Sequence, residues 1–526
     1  MIVMTETPGP RKHGRARPPW THGAVAGLAA GAVALGTAEL IAGILPGAAS
    51  PVIAIGDTII SLQPAGAKQL VVDLVGEADK LLLNLVIAAV ALGAAAGLGV
   101  VARHRLGLAR IGFALFGLAY LAAGLRDPLN EALPTLLAVA GSVAVAVAAV
   151  GWLVGLAQAR AAKPGAEMPA WERRRFLGTS LAVAGVALGS GLIGRTLLER
   201  GRVAAVPQAG RIPAPQSTAP PLPAGAAIDG VEALTPIVTP NDAFYRIDTA
   251  LIVPRPDVDS WRLRVHGMVD RAFELTYDEL LAMPIHEQYV TIACVSNEVG
   301  GGLVGNARWS GVRLKELLER AGVQPGASQI VGRSVDNFTA GFPTEWALDA
   351  DREPLVAVTM NGEPLPPIHG FPARLIVPGL YGYVSATKWL SEIELTTLEA
   401  FDAYWVPLGW AKEAPILTQS RIDVPRDGAT IPTSPTPIAG VAWAPDRGIS
   451  AVEVRVDEGE WMAAELSAPI SDATWVQWLL RWDATEGEHR IRVRATDGSG
   501  EVQTDERTRP DPDGARGHHT IEVTVA

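Results

Sequence analysis

The sequence predicts a multidomain chain: a five-helix transmembrane N-terminal region, an α+β domain and a C-terminal β-sandwich. Three observations carry this. Five long apolar runs fall before residue 195, strand-like and helix-like patterns alternate irregularly from 235 to about 410, and short strands between Gly- or Asp-rich turns recur from 437 onward. Charge divides at nearly the same place. Residues 1–205 carry 18 Lys+Arg against 11 Asp+Glu, a net of +7, whereas residues 206–526 carry 26 against 44, a net of −18, the two summing to −11. An acidic C-terminal part repels phosphate backbones, and the N-terminal arginines sit between apolar runs, so no nucleic-acid partner is expected.

A span of about 30 Å at about 1.5 Å per residue needs about 20 apolar residues. Residues 22–45, 81–101, 108–125, 133–156 and 176–193 meet that requirement and make residues 1–200 a membrane domain. Arg11, Lys12, Arg15 and Arg17 precede the first span. Arg103, Arg105 and Arg110 lie around the second loop, and Arg160, Lys163, Arg173, Arg174 and Arg175 before the fifth span, while the alternate loops hold only Lys68, Lys80 and Arg126. The positive-inside rule then predicts a multi-pass protein of the cell membrane with a cytoplasmic N-terminus and everything after 195 extracytoplasmic. Residues 53–62 are too short to cross and contain Asp57, which suits an extracytoplasmic or re-entrant piece. Glu39, inside the first span, suits either an ion or quinone contact or a side chain reaching the interface.

Arg173-Arg174-Arg175-Phe176-Leu177, followed by small apolar residues, resembles a twin-arginine export signal placed inside the chain; the alternative is an ordinary cytoplasmic basic cluster. Residues 201–234 form a Pro/Ala-rich linker, including Pro207, Pro213, Pro215, Pro220, Pro221 and Pro223, which favours extended, semi-rigid chain as a tether.

In residues 235–412 a strand is expected at 260–266, a helix at 276–283 opened by Thr276 with Asp278 and Glu279 in its first turn, and further strands before Cys294, at 355–360 and at 374–377. Cys294 is the only cysteine in 526 residues and ends a β-branched run before the Gly300-Gly301-Gly302 loop. A lone thiol cannot make an internal disulfide, a CxxC pair, a four-cysteine cluster or a haem attachment. It is a buried inert thiol, a nucleophile, or a single soft ligand to a metal that brings its other ligands with it.

Four segments in order then resemble the sulfite oxidase family of molybdopterin-dependent oxidoreductases, in its membrane-anchored bacterial, actinobacterial-type form. They are Asn241 to Asp248, Cys294-Val-Ser-Asn with Ala307-Arg308-Trp309-Ser310-Gly311, Met360-Asn-Gly to His369-Gly-Phe-Pro-Ala-Arg374, and Pro378-Gly379 to Ala386-Thr387-Lys388-Trp389-Leu390. The resemblance implies a Mo-molybdopterin cofactor, with Cys294 as molybdenum ligand and catalytic residue and Arg246 facing the substrate. It further implies cofactor contacts from Phe244, Tyr245, Arg246, Ile247, Asp248, Cys294, Ser334, His369, Arg374, Ala386, Thr387 and Lys388. A phosphate-bearing pterin calls for cations and directed donors, which Arg246, His369, Arg374 and Lys388 supply; without it His369 reads as a turn residue and Arg374 as a strand-surface cation.

Strands expected at 437–444, 449–456, 474–482, 489–495 and 520–525 give residues 413–526 a sandwich pattern, which resembles the immunoglobulin-like dimerisation domain of that family and implies a homodimer. His518-His519 reads as a strand-edge pair rather than a metal site.

The sequence also departs from the family. Its Arg-Asn-His is Arg246-Ile247-Asp248 here, the arginine that sulfite oxidases place five residues after the cysteine falls at Val299, and the tyrosine placed five after a family-type Trp falls at Trp410 if Trp405 is that Trp. The expected function is a membrane-anchored oxidoreductase transferring an oxygen atom to or from a small-molecule or sulfur-oxide substrate, with electrons exchanged with a separate cytochrome or quinone-linked protein. The alternatives are a methionine-sulfoxide-type reductase rather than a sulfite dehydrogenase, and a non-catalytic envelope binding or sensor protein.

Overall fold

The computed structural model describes residues 20–62, 79–158, 170–201, 212–349 and 352–526. Arg11, Lys12, Arg15, Arg17, Lys68, Arg160, Lys163 and Pro207, all used in the sequence reading, lie outside them. The chain divides into two compact units at residues 204 and 205.

The first unit is built from α1 (Trp20–Ile44), α2 (Pro51–Leu62), α3 (Asp79–Ala102), α4 (Leu106–Gly124), α5 (Ala132–Gln158) and α6 (Ala170–Gly201). Five of these are long and apolar enough to cross a membrane: Trp20–Ile44, Lys80–Ala102, Leu106–Gly124, Ala132–Ala157 and Arg174–Leu198. They overlap the five expected spans. Helix α1 packs on α3, α5 and α6. The approach to α3 is backbone to backbone, because a Cβ on Gly27 would fall 2.1 Å from Ala95 O and 2.7 Å from Gly99 Cα. Small residues are what permit such contacts where apolar burial offers no driving force. Helix α2, 12 residues long, is too short to span. Glu39 is buried and accepts a hydrogen bond from Ser50 Oγ at 2.6 Å, which answers the cost of a carboxyl in an apolar bundle.

The second unit begins with the described part of the Pro/Ala-rich stretch, which is laid against the unit rather than suspended as a tether. Gln216 N–H donates to Ile285 O at 2.7 Å, Ala468 N–H to Gly225 O at 2.8 Å, and Ile228 N–H to Gln477 Oε1 at 2.7 Å. Proline removes donors and fixes an extended path, but the N–H and C=O groups that remain can still dock.

Two sheets follow. The first runs Phe273–Thr276, Arg262–Gly267, Leu390–Thr396, Gln329–Ser334 and Thr339–Pro343; Arg262–Gly267 pairs parallel with Leu390–Thr396 and every other pair is antiparallel. The second is antiparallel, in the order His286–Ala293, Val304–Arg313, Leu355–Met360 and Glu363–Pro364, with Arg374–Ile376 also paired to Leu355–Met360. This is the expected α+β arrangement with a mixed sheet. Helix Tyr277–Leu281 starts where Thr276 predicts it, with a reciprocal capping box between Thr276 and Glu279.

From Gln419 the chain forms two further sheets, one of Gln419–Val424, Pro435–Trp443, Glu465–Leu466 and Val476–Asp483, the other of Thr430–Ile431, Ile449–Val456, Met462–Ala463, Gly487–Asp497 and His519–Val525. Ile438 and Trp478 from one meet Val454, Ile491, Val493 and Ile521 from the other in a shared core. This β-rich region is tied to the α+β part: Trp475 N–H donates to Thr291 Oγ1 at 2.8 Å and its indole to Ile237 O at 2.8 Å, and Trp443 and Trp475 sit in the α+β core.

Candidate active site

The strand His286–Ala293 ends one residue before Cys294, and the loop that follows fixes the thiol in place. Cys294 N–H donates to Leu303 O at 2.9 Å, Asn297 N–H donates back to Cys294 O at 3.0 Å, and Leu303 N–H donates to Asn297 Oδ1 at 2.7 Å. Gly300 has φ +82° and presses against the His519 ring, while Arg421 Nη1 donates to Gly301 O at 2.9 Å. The β-rich region therefore clamps the glycine loop from outside.

Cys294 lines an open-mouthed cavity together with Phe244, Tyr245, Ile247, Asp248, His369, Arg374, Ala386 and Lys388, all expected site residues. Of the remaining expected residues, Thr387 is buried behind the wall with Oγ1 donating to Gly332 O at 3.3 Å. Ser334 is buried beside Asp336, whose N–H reaches its Oγ at 3.5 Å. Arg246, expected to face the substrate, is not among the lining residues: its Nε lies 2.9 Å from Asp248 Oδ2, and its side chain is 38% exposed. The acid two residues downstream captures it. The lining also includes Asp336, Phe338, Tyr383 and Trp405. Trp405 stood out in the sequence and Tyr383 lies inside a quoted segment. Asp336 and Phe338 belong to a tight turn, with Asn337 at φ +68°, that carries no periodic signal.

Each polar wall group is held by a neighbour. His369 ends the 3₁₀ turn Pro367–His369, and its Nε2 donates to Asn241 O at 2.8 Å, which leaves Nδ1 without a proton. Burial, reinforced by the cations Arg374, Lys388 and Arg246, pushes its pKa down to about 4. Asn241 is in turn fixed by Asn361 Nδ2, which donates to Asn241 Oδ1 at 2.9 Å from the Met360-Asn361-Gly362 turn. Arg374 opens the strand Arg374–Ile376, donates from Nη1 to His369 O at 3.0 Å, and places its guanidinium 5.0 Å from the Trp309 ring centre. Burial lowers its pKa to about 10, so it stays protonated at neutral pH. Lys388 Nζ donates to Asp248 Oδ2 at 2.8 Å and to Ile368 O at 3.2 Å; burial draws its pKa down to about 8 against the pull of Asp248. Tyr245 is pushed up by burial, with Cys294 adding to the shift.

His518 and His519 are occupied by structural bonds: His518 Nε2 lies 2.9 Å from Gln503 O, and His519 Nδ1 accepts from Ile422 N–H at 3.0 Å.

The family model described as an oxidoreductase molybdopterin binding domain matches residues 250–405. Mitochondrial sulfite oxidase of Rattus norvegicus is 32% identical over 318 residues, 51% of this chain and 57% of that protein. Sulfite oxidase of Gallus gallus is 30% identical over 315 residues, 51% of this chain and 68% of that protein. The sulfane dehydrogenase SoxCD of Paracoccus pantotrophus aligns in structure at 24% identity and TM-score 0.49, covering 56% of this chain and 82% of that one. The chain thus spans little more than half the length of the mammalian relative.

The family model and the sulfite oxidase relatives imply a molybdopterin cofactor, and the cavity fits one. Arg374 is a buried cation that forms no ion pair among the described residues, and its Nε has no hydrogen-bond partner among them. A buried guanidinium in that state matches an anionic, acceptor-rich ligand. The chain belongs to the sulfite oxidase family of molybdopterin-dependent oxidoreductases.

Proposed function

We propose that this chain is a membrane-anchored oxidoreductase that carries out oxygen-atom transfer in the Cys294 cavity, with the active site outside the cytoplasm. The observation that carries the reading is the convergence on one cavity of the lone thiol and two buried cations, Arg374 and Lys388. When bound, molybdopterin supplies a molybdenum that exchanges two electrons with the oxygen-atom transfer. In this reading Cys294 would ligate that metal. Arg374 and Lys388 would neutralise the cofactor's anionic groups, with Phe244, Tyr245, Ile247, Ala386 and neutral His369 forming the walls; Ser334 and Thr387 would act from behind, and Arg246 through Asp248.

The apolar helices and the distribution of Arg and Lys support a cytoplasmic N-terminus, and a folded, cofactor-loaded domain outside the membrane gives the Arg173-Arg174-Arg175 motif its use in twin-arginine export. A separate cytochrome or quinone-linked partner takes or gives the electrons; haem in the purified single chain would overturn that. The two-sheet C-terminal region supports an immunoglobulin-like domain through which two copies associate.

A specific observation favours the methionine-sulfoxide-type alternative over sulfite. Phe338, Tyr383 and Trp405 line the cavity; Phe338 meets Tyr404 in a tilted pair at 5.6 Å and Trp405 meets Trp410 edge-on at 6.3 Å between ring centres. Val299 and Arg246 are not among the lining residues. A dianion in a desolvated pocket needs paired cations, whereas an uncharged sulfoxide with an apolar substituent suits aromatic walls.

Metal and pterin analysis of the purified chain tests the proposal: about one molybdenum per chain is expected, with Cys294→Ser inactive but still partly loaded with pterin. No molybdenum from molybdenum-replete cells would instead point to a non-catalytic binding or sensor protein.

A further inference from the structure

Two carboxyl groups line the cavity, and the fold treats them in opposite ways. Asp248 is fully engaged by cations, with Lys388 Nζ at 2.8 Å and Arg246 Nε at 2.9 Å on the same oxygen and Arg246 Nη2 at 3.3 Å on the other. Asp336 forms no ion pair among the described residues. Its Oδ1 accepts a long bond from Phe338 N–H at 3.3 Å, and its own N–H reaches the Ser334 hydroxyl at 3.5 Å. The turn that carries it is closed by Ser334 N–H donating to Phe338 O at 2.9 Å, and the Phe338 ring meets Tyr404 at 5.6 Å between centres. Burial raises the Asp336 pKa, the charge of Asp248 adds to the rise, and three local hydrogen bonds, from the Ser334 side chain, the Phe338 backbone and its own backbone, oppose it. Any anionic ligand in the cavity acts in the same upward direction. One carboxyl held between two cations beside a second that carries none suits a charged anchor and a proton-exchanging group.

We propose that Asp336 is the proton-exchanging group of this cavity, passing a proton to the oxygen that leaves a bound substrate, or receiving one in the reverse direction. The inference rests on the oxygen-atom transfer proposed above. That half-reaction, XO + 2 H⁺ + 2 e⁻ ⇌ X + H₂O, moves two protons through the site whichever way it runs. In the forward direction the O–H bond of Asp336 breaks as an O–H bond forms on the departing oxygen, leaving a carboxylate that is reprotonated from water at the cavity mouth. The second proton comes from water, and the electrons come from the separate cytochrome or quinone-linked carrier. Asp248 cannot fill this role, since protonating it would strip Lys388 and Arg246 of their partner.

The test uses the full chain, cofactor-loaded, in detergent, as wild type, Asp336→Asn and Asp336→Glu. Expected are unchanged molybdenum and pterin content, and at neutral pH an infrared carbonyl band of a protonated carboxyl that is lost in Asp336→Asn and shifted in Asp336→Glu. Turnover is followed with methyl phenyl sulfoxide and reduced benzyl viologen, or with sulfite and ferricyanide. It should fall about 100-fold or more in Asp336→Asn, within the range a positioned acid contributes, and return to within about tenfold of wild type in Asp336→Glu. A carbonyl band that persists in Asp336→Asn, or turnover within about threefold of wild type, overturns the proposal while leaving the oxygen-transfer reading intact. Wild-type chain devoid of molybdenum removes that reading itself. Should Asp336→Asn fail to load, the band in wild type and its shift in Asp336→Glu decide; no such band overturns the proposal.

Discussion

Lys388 Nζ lies 2.8 Å from Asp248 Oδ2 with the two side chains only 11% and 4% exposed, so the ammonium keeps its charge in a place where burial works against it. Removing one partner of such a pair costs roughly 3 to 5 kcal/mol when the other stays charged. Lys388 has an escape, because its pKa already stands at about 8 and falls further without the carboxylate. Asp248→Asn is therefore expected to lose less than that full cost in thermal stability, but to lose molybdopterin as Lys388 discharges. Lys388→Met in the same background should restore melting temperature without restoring cofactor, measured by tryptophan fluorescence and molybdenum content.

Arg374 offers the cleaner test of the cradle, since it forms no ion pair among the described residues to be orphaned by its removal. Arg374→Ala should lower cofactor occupancy at least about tenfold, the loss of one strong charge-assisted contact. Arg374→Lys should recover part of it, because a point charge replaces a planar fork. Equal occupancy in Arg374→Ala and wild type would remove this residue from the cofactor site.

Much of this is legible in the sequence. The strands at 355–360 and 449–456 fall where alternation and β-branching place them, and Thr276 with Glu279 announces its own helix start. The convergence of Cys294, His369, Arg374 and Lys388 depends on long-range register, so no local pattern reveals it; there the family resemblance did the locating. The direction of Arg246 was beyond reach, because nothing in a sequence says which carboxylate captures a cation. Pro-rich composition indicates an extended path between 212 and 234 but not whether that path docks, which is decided by acceptors such as Gln477 far along the chain. Asp336 belongs to a turn, and turns place side chains by backbone angles that composition only hints at.

Acid should destabilise the second unit through two histidines. His369 and His519 both have pKa values lowered to about 4 by burial, below the value of about 6.5 expected when unfolded. Between those values the unfolded chain binds protons that the folded chain refuses, so stability falls as pH drops from about 6.5 toward 4. His369→Gln keeps a donor for Asn241 O, and His519→Asn keeps an acceptor for Ile422 N–H. Each should flatten the acid limb of melting temperature against pH, and the pair should flatten it more, compared at equal cofactor loading. An unchanged slope in the double variant would assign the acid sensitivity elsewhere.

Gly300 connects the β-rich region to the thiol, and its replacement should damage both. Its φ of +82° strains any residue with a Cβ, by roughly 1 to 2 kcal/mol. A Cβ there would also fall 2.2 Å from His519 Cδ2, so the imidazole that accepts from Ile422 N–H would have to move. Gly300→Ala is expected to lower the melting temperature and to reduce molybdenum retention, since the loop fixing Cys294 runs through Gly301 and Leu303. Adding His519→Ala removes the collision but not the backbone strain. The double variant should thus melt higher than the sum of the two single losses predicts, a positive coupling between neighbours. Strict additivity would mean that the two side chains do not meet, and that the clamp on the Cys294 loop lies with Arg421 alone.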